Sequence, residues 1–264
     1  MVNKIHSQTL QSQVIDFLRF PLIVGVIFIH NSSAIVTIPN ETFGNETFLP
    51  LHYICSNLFS DVLGRIAVPL FFFISGFLFF LNIEKFNGKS YCNKLRTRTK
   101  TLLIPYLLWN LLATTIFSII AVVPALKAFV NHDMEYNVLA FLCYLWGDAN
   151  GGMPIAYPFW FIRDLMVIVI FTPLIFLIVK HAKIYAIAAL GILWYFNWWF
   201  GLPGFSINCI FFFSAGAYFG IYKRSVIECF AKIKRLSFIL YPMIAIADLL
   251  TKEYDGNVFI HKIG

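Results

Sequence analysis

The sequence predicts an all-α protein, a polytopic bundle of transmembrane helices with about seven spans and the start of another. Three observations carry this expectation. Of 264 residues, 59% are hydrophobic and only 12% charged, whereas a soluble domain is nearer half apolar and a quarter charged. The apolar residues fall in runs of about 20, the length that crosses a hydrocarbon layer about 30 Å thick. Between the runs, Lys and Arg gather in alternate loops, the pattern of membrane proteins whose positive loops stay cytoplasmic.

The seven runs cover residues 17–38, 62–83, 102–123, 158–179, 184–200, 205–222 and 236–250. An eighth apolar stretch, Val138–Trp146, is too short to cross and is expected to lie at the surface or to re-enter. Lys85, Lys89, Lys94, Arg96, Arg98 and Lys100 follow the second run. Lys180 and Lys183 follow the fourth, and Lys223, Arg224, Lys232, Lys234 and Arg235 the sixth. The opposite loops, residues 39–61 and 124–157, hold one Lys between them. This alternation predicts a cytoplasmic N-terminus. The first run follows a polar N-terminus without a small-residue cleavage site, so it is expected to remain as a span. Residues 260–264, after the polar turn 251–257, read as a further span cut short, and residues 1–264 read as one membrane-embedded domain.

Composition also excludes classes of function. The net charge of +7 resides in short loops without a mixed basic and aromatic surface, which argues against nucleic acid as a partner. Cys55, Cys92, Cys143, Cys209 and Cys229 are scattered, so neither a zinc site nor a redox pair is expected, and no metal is assigned. The lipid bilayer is the solvent implied by 30 Phe, 12 Tyr and 6 Trp.

Ionisable groups inside a bilayer are costly, which makes them functional candidates. In the first run His30 stands eleven residues after Arg19, about three helical turns, so the two share a stripe with an axial separation of about 16 Å. Asp16, three before Arg19, can orient or neutralise the guanidinium. A long, thin ligand with an anionic head fits that line. A neutral His30 can act as a general base; equally, it can donate to a neighbouring helix carbonyl and only hold the bundle together. Arg19 can serve a ligand or snorkel as an interfacial anchor.

Asp61 and Arg65 form an i,i+4 pair before Val68-Pro69-Leu70-Phe71-Phe72-Phe73-Ile74-Ser75-Gly76-Phe77, and a structural ion pair at a helix start accounts for them. The run from Lys94 to Lys100 either sets topology alone or clamps nucleotide phosphates, because Arg forks and Lys point charges suit them. Trp160-Phe161-Ile162-Arg163-Asp164 opens the fourth run with an adjacent charge pair that reads as interfacial. His52, His132, His181 and His261 read as surface histidines. Asn40-Glu41-Thr42 and Asn45-Glu46-Thr47 match a sequon that arises often by chance.

These residues resemble acyltransferase family 3, the bacterial membrane group that includes O-antigen and exopolysaccharide O-acetylases. The likeness rests on Ile15-Asp16-Phe17-Leu18-Arg19 with His30, Val68 to Phe77, Leu103-Ile104-Pro105-Tyr106-Leu107-Leu108-Trp109, Phe159-Trp160-Phe161 and Phe211 to Gly220, in that order along nearly the whole chain. The resemblance implies a multi-pass protein of the bacterial cytoplasmic membrane that transfers an acyl group, usually acetyl from acetyl-CoA as co-substrate, to a hydroxyl of a lipid-linked or surface carbohydrate, with no permanently bound cofactor. It further implies that His30 is catalytic and that Arg19, Arg96 and Arg98 serve the acyl donor; Asp16 and Lys100, from their positions beside these residues, are assigned to the same donor-binding or donor-orienting set. Asp61, Arg65 and Trp160 are assigned structural or substrate-side roles. The family often shows two basic residues three apart before its Ile-Pro-Tyr block, whereas Arg96, Arg98 and Lys100 alternate here. It also usually has about ten spans, so this chain is expected to be a C-terminally shortened copy. A transporter or polysaccharide-export component using the same polar residues is the rival reading, and a non-catalytic membrane partner is a third.

Overall fold

The computed structural model describes residues 2–30, 36–38, 41–43, 58–81, 83–123, 138–147 and 152–251. Among them the chain is helical apart from one short β-ladder, and it groups into two compact units, residues 1–81 with 215–264 and residues 82–214.

In the first unit, α1 (Val2–His30) is followed by β1 (Val36–Ile38) and β2 (Glu41–Phe43), antiparallel with Thr37 opposite Thr42. A π-turn (Leu58–Leu63) and a 3-10 turn (Gly64–Ile66) lead into α2 (Ala67–Leu81). Glycine sets the meeting of α1 with this turn. A Cβ on Gly25 would stand 3.2 Å from that of Ala67, and one on Gly64 would stand 2.9 Å from Ile29 Cγ1 and 3.0 Å from the Gly25 carbonyl oxygen. Small residues allow such an approach where there is no water to drive helices together. Leu22, Ala67 and Ile74 form the buried centre of this contact, with Leu18, Val26 and Phe73 around it. The outer side of α1 turns Phe17 (75% exposed) and Phe20 (73%) away from protein, the disposition expected of a face in lipid.

The other two helices of this unit are the end of α8 (Ile207–Ile221), which the two units share, and α9 (Val226–Thr251). Gly216 and Gly220 lie one turn apart on α8 against α2. A Cβ on Gly216 would collide with the Phe73 carbonyl, 2.8 Å from its carbon, and one on Gly220 would stand 2.7 Å from the Phe77 carbonyl oxygen. Phe73 in turn meets Phe219 and Phe230 edge-on, with centroids 5.7 and 6.4 Å apart. The Ser225 hydroxyl caps α9 by accepting from Glu228 N at 3.2 Å, and it accepts from Gln11 Nε2 of α1 at 2.9 Å.

In the second unit, α3 (Gly88–Arg98) opens with a capping box: Ser90 N donates to Asn87 Oδ1 at 2.9 Å, and Asn87 N donates to Ser90 Oγ at 3.1 Å. A π-turn (Thr99–Leu103) carries it without a break into α4 (Ile104–Val122). The short α5 (Val138–Trp146), the 3-10 turn Tyr157–Phe159, α6 (Trp160–Ile170) and α7 (Thr172–Phe196) complete the unit with the start of α8. Within α7 the backbone leaves helical geometry at Lys183 (φ 51°, ψ −130°), where the sequence places a loop. Gly88 has no atom within 4 Å of a built Cβ. Gly88→Ala should therefore stabilise α3 by about 0.5 kcal/mol through the unfolded chain; a lowered melting temperature in detergent would contradict this.

Among the described residues, four helical segments are long and apolar enough to cross a membrane: Gln13–His30, Leu58–Leu81, Gly88–Val122 and Thr172–Phe196. The sequence expectation of about seven is a finer count than these establish. Two boundaries are corrected. The first run, expected to be helical through Ile38, ends its described helix at His30, and Val36–Ile38 pairs as a strand; the β-branched Ile35-Val36-Thr37-Ile38 before Pro39 favours extended backbone. The fourth run is divided at Phe171, because Pro173 in the first turn of α7 lacks the N–H that would continue α6. The short α5 matches its expected limits.

Candidate functional site

The polar line of the first span is present on α1. Arg19 Nη1 stands 3.0 Å from Asp16 Oδ1, and both side chains are exposed to the surroundings of the helix. His30 is half-buried and closes the helix. Since the apolar part of α1 runs over Gln13–His30, Arg19 lies about 9 Å from one end and His30 at the other. A ligand that touched both would have to be extended. Asp61 falls in the π-turn Leu58–Leu63, and its side chain lies outside the described residues, as do His52, His132, His261 and the two sequon asparagines. Arg65 is exposed in the turn Gly64–Ile66, and His181 is exposed with its Nδ1 2.8 Å from the Leu177 carbonyl oxygen.

The basic run belongs to the second unit. Arg96 and Lys100 are exposed and Arg98 half-buried. Thr97, Thr99 and Thr101 alternate with these cations, and each hydroxyl donates to the carbonyl four residues back at 3.0 to 3.1 Å. The cations are thus carried on a helix whose interleaved threonine hydroxyls are satisfied internally, with Arg96 and Lys100 exposed on it. Such clusters suit phosphate.

The structure corrects one reading. Arg163 and Asp164, which the sequence suggests are interfacial, are 3% and 1% exposed. Arg163 donates through Nε and Nη2 to Asp164 Oδ1 at 3.2 and 3.0 Å, through Nη1 to the Gly152 carbonyl at 2.7 Å, and also through Nη1 to the Trp146 carbonyl. Its guanidinium lies 5.9 Å from the centre of the Trp146 ring. A planar fork can be buried when its charge is neutralised and its N–H groups are used in this way. Gly147 makes room for it, since a Cβ there would stand 2.9 Å from Arg163 Nη1.

Beside this pair, α4 contributes a second buried polar set. The Tyr106 hydroxyl donates to the Leu145 carbonyl, and the fully buried Asn110 accepts from Ala156 N at 3.1 Å while donating to the Tyr106 carbonyl at 2.9 Å. Together these bonds hold the end of α5 and the approach to α6. A cavity of about 300 Å³ opens there, lined by Trp160, Arg163, Asp164, Asn197, Trp199 and Ser206 among others. Trp160 thus lines a cavity of the second unit.

Sequence reading passed over Asn110, the burial of Arg163 with Asp164, and Asp248, which is 3% exposed within α9. The signal for the last two was available, since ionisable residues inside apolar runs are the ones a bilayer makes costly. Asn110 carried a weaker signal. It stands one turn after Tyr106, so that two polar groups share a face of an otherwise apolar helix.

Residues 13–259 match the acyltransferase domain family known as acyltransferase family 3. The chain is also similar to the succinoglycan biosynthesis protein ExoH of Rhizobium meliloti (strain 1021), with 27% identity over 80% of this chain and 55% of that protein. The chain therefore spans about half the length of this curated relative. No solved structure matches it. With a family match that covers nearly its whole length and includes the Asp16, Arg19 and His30 line, the chain belongs to acyltransferase family 3.

Proposed function

We propose that the protein is a membrane acyltransferase that moves an acyl group, acetyl in the simplest case, from acyl-CoA to a hydroxyl of a cell-surface or lipid-linked carbohydrate. Membership of acyltransferase family 3 and similarity to a succinoglycan biosynthesis protein support this reading. The observation that carries it to residues is the line on α1: an Asp16–Arg19 ion pair near one end of an apolar span and an imidazole on the same stripe at the other. In this reading the anionic nucleotide end of coenzyme A engages Arg96, Arg98 and Lys100, and Arg19, held by Asp16, orients the donor. His30 takes the proton of the acceptor hydroxyl as its oxygen attacks the thioester carbonyl; the C–S bond breaks, and the thiolate leaves to be protonated. The protein is proposed to sit in the bacterial cytoplasmic membrane with its N-terminus cytoplasmic, crossing about seven times within these residues.

His30→Ala in the chromosomal copy should lower acylation of surface polysaccharide by about 100-fold or more, the usual loss when a general base is removed. Acyl content would be read by NMR of purified polysaccharide, with membrane insertion followed by immunoblot. Undiminished acylation in cells that insert the variant normally would remove His30 from the chemistry.

A further inference from the structure

The geometry points to a binding subsite for a neutral pyranose ring in the cavity of the second unit, walled by Trp160, Trp199 and Phe200 and floored by Arg163 and Asp164. The identity of this sugar as part of the acceptor rests on the proposed function; its binding does not.

The lining has the two properties that a sugar requires. Flat aromatic walls accept the C–H face of a pyranose, because the ring faces are electron-rich and the C–H bonds point toward them. Trp160, Trp199 and Phe200 supply such walls, and the last two already stack on each other with centroids 4.5 Å apart. Trp199 is held in place from behind, its Nε1 donating to the Phe205 carbonyl at 2.8 Å. Around them, Asp164, Asn197 and Ser206 offer acceptors and donors to hydroxyl groups. A volume of about 300 Å³ is at the lower end for sites that take small organic molecules.

Charge favours a neutral occupant. Arg163 would otherwise mark an anion site, but Asp164 neutralises it, and its Nε, Nη1 and Nη2 are committed to Asp164 and to two backbone carbonyls. An incoming phosphate or carboxylate would meet a compensated guanidinium and the Asp164 carboxylate beside it. The position also fits. The walls come from the first residue of α6 and from the turn between α7 and α8, and neither belongs to the Lys- and Arg-rich loops. With a cytoplasmic N-terminus both lie on the outer face, where surface carbohydrate is found.

The test is saturation-transfer NMR on the full chain in detergent, without any acyl donor, using methyl β-D-glucopyranoside and methyl β-D-galactopyranoside as probes. At least one probe should receive saturation on its ring protons. Trp160→Ala should weaken that binding by about tenfold, the loss expected for one stacking wall, and Trp160→Phe should largely restore it. Phe200→Ala provides a second wall variant should Trp160→Ala fold poorly, as judged by its elution profile. Absence of transfer to both probes, equal binding by the folded wall variants, or displacement of the sugar by inorganic phosphate would each overturn the subsite. Because no donor is present, failure here leaves acyl transfer to be decided by His30→Ala, and failure there leaves the sugar site standing.

Discussion

Gly216→Val should prevent α8 from seating against α2. The substituted Cβ alone would collide with the Phe73 carbonyl and stand 2.8 Å from Phe77 N, so the obstacle is backbone, which cannot rotate out of the way as a side chain can. Overpacking a core ordinarily costs about 1–3 kcal/mol; here the helices must separate, with loss of the Phe73, Phe219 and Phe230 contacts, and the cost should exceed about 3 kcal/mol. The expected readout is loss of the monodisperse peak on size exclusion in detergent, or a large fall in the denaturant midpoint where the protein can be isolated. Gly220→Val should have a smaller effect of the same sign, since it meets one carbonyl oxygen at 2.7 Å and the Phe80 Cβ at 3.0 Å. A Gly216→Val protein that unfolds at the parent midpoint would show that α2 and α8 do not approach so closely.

Asp164→Asn is expected to have the second large effect. The change keeps the shape of the side chain and an acceptor oxygen for Arg163, and removes only the charge. Arg163 would then be buried with no counter-charge, and breaking a buried pair from one side costs about 3–5 kcal/mol. The paired substitution Arg163→Met with Asp164→Leu removes both charges together and should recover most of the loss, because a buried ion pair exchanged for apolar groups of similar volume is often neutral. Denaturant midpoints of the single and paired variants, measured in the same detergent, check this. A single variant as stable as the parent, or a paired variant less stable than the single, would deny the pair its structural role.

The helical class was legible because a bilayer imposes its length on the sequence. Apolar runs had to be about 20 residues, and loops between them had to carry the charge. The limits of α5 were legible for the same reason, polar residues bounding a short apolar stretch. Less legible was anything that depends on which helix lies beside which. Gly216 and Gly220 fall in a stretch quoted for its family likeness, yet their need to be small comes from the carbonyls of α2, more than a hundred residues away. Arg163 looked interfacial because an adjacent Arg–Asp pair does not face one way on an ideal helix; its burial depends on carbonyls of Trp146 and Gly152 that a loop brings to it. On α1, spacing alone put Arg19 and His30 on one stripe, whereas the strand Val36–Ile38 had to be read from its β-branched residues.

The continuous helix from Gly88 to Val122 bears on how the cations of α3 are held. At 35 residues it exceeds by roughly 15 the length that hydrocarbon requires, and the excess includes Arg96, Arg98 and Lys100. These charges therefore ride on a rigid shaft anchored in the membrane, not on a tether, and their compass bearing is fixed by the winding between them and Ile104-Pro105-Tyr106. The π-turn Thr99–Leu103 lies in that interval. Deleting a single residue there would turn the charged face by about 100° about the shaft while changing neither the number of cations nor the length of the span appreciably. Bearing, separately from charge, is thus a property that this helix sets.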